Sequence, residues 1–441
     1  MRAGVTSHHS FEWPQYGGNS EHRYVHRYRD RILAPKVLWF VPGLAGQPTL
    51  AGGELYSGGV TLARLEPLSG EVLDVAHSGS ALRERVEGLA TDFEWDGEAF
   101  PCLIGGAPAI SRDLVIARDA LDGGIVAFNR QLAWPAWEWR PNAPAPSARP
   151  GCLVGDDLFV FTSGTQVVAL WVADGREAWR FDAGKGNELE MVPASDGRLV
   201  YLGTKGWFQA VEAATGETAW REPVGGNTKS CLLLADRAIV VTERVEEGAA
   251  NSLRHGACAL GLARGTQLWR TSFDESPSDP GLGSGGRLLW GVGGAIVLYS
   301  SESGKPEGAR SSPDAADPAD ALGYAGSSAV TPLVPAGAVG NHRILSPTLV
   351  ERSVVFGGSD GNLHVADALS GAVRWSFRMP LGFELQDFVH AGDLLFVATS
   401  LGLFCLGDAR DQPPAAPGFV LEWSGEEGET AAMSLLKAFD R

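Results

Sequence analysis

Arg352-Ser-Val-Val-Phe-Gly-Gly-Ser-Asp-Gly-Asn-Leu-His-Val-Ala-Asp-Ala-Leu-Ser-Gly-Ala-Val-Arg-Trp375 holds one complete structural repeat. It reads as an apolar run, a Gly-rich hairpin, a second apolar run, a Ser-Gly turn and a Trp. The runs are short, rich in Val, Leu and Phe, and bounded by Gly and Asp, which marks strands rather than helices. Two further stretches align with it, Arg198 to Trp220 and Asp157 to Trp179. Weaker copies bring the starts to positions near 54, 113, 157, 197, 237, 287, 352 and 393. The shortest spacings are about 40 residues, the length of one four-stranded propeller blade. The sequence therefore predicts an all-β fold, an eight-bladed β-propeller of four-stranded antiparallel blades.

Particular residues carry particular duties in this reading. Trp39, Trp179, Trp220, Trp269 and Trp375 are large enough to fill the space between adjacent blades. Gly216 and Gly371 follow Thr or Ser in the turns and supply a positive φ. Residues 1–29 read as an N-terminal arm and 30–424 as the propeller. Residues 425–441 read as a short C-terminal tail, with a helix as the open alternative. Pro35-Lys-Val-Leu-Trp39-Phe matches an outer, Trp-bearing strand with no blade before it, so it is expected to complete the last blade. Phe419-Val-Leu-Glu-Trp423 competes for that place.

Composition excludes several classes. The 441 residues hold 36 basic and 53 acidic side chains, a net charge of −17. Nucleic-acid affinity rests on cations neutralising phosphates, so neither nucleic acid nor an anionic membrane surface is an expected partner. No apolar run is long enough for a membrane span. The five cysteines, Cys102, Cys152, Cys231, Cys258 and Cys405, are far apart, which excludes the common zinc spacings and gives no disulfide framework. The first residues lack the apolar core of a secretory signal, so a cytoplasmic location is expected, or a periplasmic one if a leader is missing.

The units resemble the repeat of the pyrroloquinoline-quinone-type propellers. That group includes the quinoprotein alcohol dehydrogenases and the outer-membrane β-barrel assembly lipoprotein. The pattern Ala–x–Asp–x–x–Thr-Gly–x–x–x–Trp reads here as Val-Ala366-Asp367-Ala-Leu-Ser-Gly371-Ala-Val-Arg-Trp375, and again at Val211 to Trp220. Trp13-Pro-Gln-Tyr-Gly-Gly-Asn19 is similar to the lead-in segment, and the resemblance runs from about 13 to 424. It implies the eight-bladed fold. The redox members carry adjacent cysteines over the quinone and Glu, Asn and Asp ligands for calcium. No segment here matches those positions, so no cofactor, neither quinone nor calcium, is expected.

Other chemistry also lacks its context. Gly281-Leu-Gly283-Ser-Gly-Gly286 fits G-x-G-x-x-G, yet a strand rather than a helix follows it, so it reads as a loop. His22 and His26 could share a helix face as metal ligands, but Arg23, Arg27, Arg29 and Arg31 oppose a cation there. A solvated basic arm, able to dock on the acidic body, is the preferred reading.

Three links exceed the basal period: 76–108, 243–256 and 306–345. The first and third read as links between blades and the second as a hairpin inside one, which places all three on one face. Phe93, Trp95 and Phe100, with Asp92 and Glu94 beside them, are the candidate contacts for a protein partner. Rim packing is the competing reading. The expected function is a non-enzymatic scaffold for protein–protein interaction. The alternative is a quinone-dependent dehydrogenase, or another enzyme with its site in the central channel.

Overall fold

The computed structural model describes residues 15–16, 18–19, 22, 25–26 and 32–408, except 60, 77–103, 144, 146, 148, 185–186, 188, 190, 246–252, 283–285, 308–331, 336–343, 351, 360 and 381–382. The chain opens with β1 (Val25–His26) and β2 (Pro35–Pro42). One sheet follows from β3 (Thr49–Ala51), β4 (Glu54–Ser57), β5 (Ala63–Leu65) and β6 (Val72–Val75). The next holds β7 (Ile104–Ile110), β8 (Leu114–Asp119), β9 (Ile125–Asn129) and β10 (Pro135–Trp139). The third holds β11 (Cys152–Val154), β12 (Leu158–Ser163), β13 (Gln166–Trp171) and β14 (Glu177–Asp182).

A six-stranded sheet comes next. It runs from β15 (Ala194–Ser195) through β16 (Leu199–Glu212), β17 (Thr218–Leu233), β18 (Arg237–Val245) and β19 (Leu253–Gly261) to β20 (Gln267–Phe273). After it come β21 (Gly281–Leu282), β22 (Arg287–Val292), β23 (Ala295–Ser300) and β24 (Pro306–Glu307). Then β25 (Ile344–Val350), β26 (Ser353–Gly358), β27 (Asn362–Asp367) and β28 (Val373–Arg378) form a sheet with β1. The last sheet joins β29 (Leu385–Ala391), β30 (Leu394–Thr399) and β31 (Gly402–Asp408) to β2.

The described strands thus form seven sheets, and the expectation of eight separate four-stranded blades is corrected to that number. The cause lies in residues 194–273. β16 passes through a turn at Gly206 (φ 82) and folds back on itself, so that the Ala213 amide donates to the Arg198 carbonyl at 2.9 Å. β17 then serves two neighbours: Trp220 faces Ala210 of β16, and Leu233 faces Ala238 of β18. Two sequence units share one continuous sheet where spacing alone implied a gap.

Closure uses the N-terminal strand. β2 lies against β31, with Trp39 opposite Cys405 and Phe40 opposite Phe404. The rival segment, Phe419 to Trp423, and the C-terminal tail lie outside the described residues.

Burial explains the sequence pattern. Middle strands such as β12 and β26 are buried on both faces, because each sheet is covered by the next, so they read as unbroken apolar runs. Outer strands such as β14 and β28 alternate and bury their Trp. Each indole N–H donates to a carbonyl of a neighbouring unit. Trp39 bonds Pro67 (3.0 Å), Trp137 bonds Val172 (2.8 Å), Trp179 bonds Ala213 (2.7 Å) and Trp220 bonds Leu262 (2.9 Å). Trp269 bonds Ser301 (2.9 Å) and Trp375 bonds Ile32 (2.8 Å). Under Trp179 lies Gly216 (φ +72), where a Cβ would stand 2.8 Å from the ring. Where a Trp is missing, another device fastens the sheets. Arg130 on β9's turn reaches back to Glu54 and to the Ala51 carbonyl, both at 2.7 Å. Leu333 lies on Gly371 in the place taken by Trp elsewhere.

Candidate functional site: the channel mouth

Inner strands are the first strand of each unit. β3 neighbours β7, β11 neighbours β15, and β21 neighbours β25, so these strands converge on an axis. The mouth of that axis holds two cavities, of about 550 Å³ and about 320 Å³, with Lys229 lining both.

Polar groups gather in the smaller cavity. Lys229 Nζ lies 2.8 Å from Glu243 Oε2, and His255 Nδ1 lies 3.8 Å from Glu243 Oε1. Asp279 lines the same cavity. Asp387, on inner strand β29, has its pKa pushed up to about 7 by burial, with the charge of Asp279 adding to the rise. The Phe388 amide donates to Asp387 Oδ1 at 2.7 Å and opposes the shift. The buried Gln47 amide lies beside Asp387 and, as a side-chain hydrogen-bond partner, also opposes the shift.

The larger cavity is bounded by the chain's own N-terminal residues. Gln15 Oε1 accepts the Leu153 amide of β11 at 2.7 Å. His22 is buried against Cys231 of β17 and meets the Tyr16 ring edge-on at 5.2 Å. Burial lowers the His22 pKa to about 4, opposed by a hydrogen bond to the Cys231 backbone, so the imidazole is neutral. β1 completes the segment by pairing in parallel with β25, Val25 opposite Leu349 and His26 opposite Val350. The solvated arm expected from its arginines is therefore docked at Gln15, His22 and β1. A contact with backbone amides leaves no periodic signal in sequence, which is why these residues were not legible as channel residues.

The other expected site residues divide into two groups. Trp39, Trp179, Trp269 and Trp375 are buried between units and Trp220 is partly buried; none of them lines either cavity. Phe93, Trp95, Phe100, Asp92 and Glu94 lie outside the described residues. The flanks of their link are fixed: the Ala76 amide bonds Leu62, and the Ile104 amide bonds Gly59. The 243–256 link leaves from the β18–β19 end, where Val245 faces Leu253. The third link departs from expectation. Val334 pairs with Ile296 beside β24, so the chain leaves and rejoins the outer-strand row before reaching β25. An outer strand has one neighbour, and a break there sacrifices few ladder bonds.

Residues 36–245 match the family model described as outer membrane protein assembly factor BamB. Outer membrane protein assembly factor BamB of Burkholderia pseudomallei is 26 % identical over 136 residues, 30 % of this chain and 33 % of the relative. The chain is a β-propeller, and its residues 36–245 are similar to the PQQ-like repeat family. The matched region spans a third of that relative's length. The propeller also superposes on BamB from Moraxella catarrhalis with a TM-score of 0.57 and 10 % identity, over 85 % of this chain and all of the other. Quinohemoprotein alcohol dehydrogenase from Comamonas testosteroni gives 0.57 at 11 % identity, over 96 % of this chain and 85 % of the other. At such identities the likeness concerns the fold alone.

Among the described residues no group of three His, Cys, Asp or Glu side chains could hold a metal. The four described cysteines are buried and separate, with burial pushing the Cys258 thiol up to about 11. Among the described residues no helix is long and apolar enough to cross a membrane.

Proposed function

We propose that this propeller is a non-catalytic scaffold that binds a protein partner on the face carrying the channel mouth and the links 76–108 and 243–256. The observation that carries this reading is the channel itself. The place where a propeller encloses a small ligand is bounded here by the chain's own Tyr16 and His22, in a segment that Gln15 fastens to Leu153. The similarity to BamB, an assembly factor by name, supports a protein-binding role. It also makes the outer membrane's periplasmic side the alternative to a cytoplasmic location. No quinone and no calcium take part in this reading.

The test has two arms. Phe93→Ala with Trp95→Ala should weaken recovery of the partner by at least ~2 kcal/mol, as truncated hot spots do, with the melting temperature unchanged. Loss of stability without loss of the partner would assign these aromatics to rim packing. Incubation with quinone and calcium should give no dye-linked alcohol oxidation, and turnover would overturn the scaffold reading.

A further inference from the structure

One short segment meets three inner strands. Gln15 takes the Leu153 amide of β11, His22 sits on Cys231 of β17, and Val25 and His26 extend the ladder of β25. An inner strand has no neighbour on the axis side, so its free amides and carbonyls form a template for an added strand. The N-terminal segment uses that template at Val25 and His26, while its turns at 15–22 supply an amide side chain as the anchor and rings as the filler. Its fit is incomplete. A cavity of about 550 Å³ remains between Tyr16 and His22 on one side and Arg149, Met191 and Lys229 on the other. The strand contact spans two residue pairs, a short ladder that a longer segment could exceed.

We propose that the channel mouth is an acceptor site for a polypeptide segment that combines turns with a short strand, and that the chain's own N-terminal segment holds it in cis. The natural occupant is a segment of the protein partner, with an Asn or Gln side chain to take the Leu153 amide and an aromatic or imidazole ring some seven residues on, the spacing of Gln15 and His22. The identity of that occupant rests on the scaffold reading; the cis contact does not.

The test uses the full chain and a fluorescein-labelled synthetic peptide with the sequence of residues 11–28. Wild type should bind it weakly, because the site is filled. Gln15→Ala with His22→Ser loosens the cis segment and should bind the peptide at least about tenfold more tightly, by anisotropy. Gln15→Ala alone should speed hydrogen exchange at the Leu153 amide, and added peptide should slow it again. If folded variants bind the peptide no better than wild type, or if Leu153 exchange ignores the peptide, the proposal falls. The Phe93 and Trp95 arm reads a different segment, so failure of one reading is distinguishable from failure of the other.

Discussion

Asp387 sits in surroundings that oppose its usual chemistry. Its pKa in the fold is about 7, against about 3.9 for an unfolded Asp. Between those values the folded chain holds a proton that the unfolded chain has released. Stability therefore falls as pH rises through this window, and the full penalty is present above it. Asp387→Asn cannot ionise, so it should raise the melting temperature at pH 8 and leave it nearly unchanged at pH 4, by calorimetry at both. An equal gain at both pH values would remove burial of charge as the cause. The tryptophans act through packing. Trp179 is 7 % exposed and donates to Ala213. Trp179→Ala should cost roughly 3–5 kcal/mol in urea unfolding. The exposed Trp134, at 69 %, is the control, and Trp134→Ala should cost under about 1 kcal/mol.

The turn between the last two strands of a unit is the element on which neighbouring sheets meet. Asp367 organises one copy. Its carboxylate accepts the Leu369 and Ser370 amides at 3.0 and 2.9 Å and the Arg374 guanidinium at 2.8 Å. The Ser370 amide is the largest of the influences holding its pKa below the usual range. Gly371 (φ +69) lies so close to Leu333 that a Cβ would overlap the carbonyl, whereas Gly155 (φ +61) faces open space. Alanine at either site strains the backbone by roughly 1–2 kcal/mol. Gly371→Ala adds overpacking of roughly 1–3 kcal/mol, so its loss should exceed that of Gly155→Ala by that amount in matched denaturant titrations. Equal losses would show that Leu333 yields freely.

For the whole molecule, the decisive joint is the one that unites the chain's two ends. β2 pairs with β31 along its length, the Leu33 amide donates to Asp408 at 2.8 Å, and Trp39 rests beside Phe396 at 5.9 Å. Deleting residues 1–41 removes that outer strand and leaves β31 as an open edge, which invites pairing between molecules. Size-exclusion chromatography should show aggregation and calorimetry a lower melting temperature. A monomer with an unchanged transition would mean that another segment seals the ring.

The strands, their turns and the docking tryptophans were legible in the residues, because each rests on local rules: alternation, a positive φ after Asp or Thr, and a ring large enough to span two sheets. Val-Ala366-Asp367 to Trp375 carried all three signals, and Pro35 to Phe40 revealed the closing strand because its Trp stood in an unmatched unit. The rest depends on contacts between residues far apart in the chain. Whether two repeats part or share hydrogen bonds is settled by how β17 bends, and no residue type encodes that boundary. The third link looked like a connection between units, yet Val334 returns to Ile296 because an apolar outer row was open to it. His22 reads as a solvated residue among arginines, but the fold encloses it against Cys231. Its neighbours come from strands more than a hundred residues away, so only the closed ring brings them together.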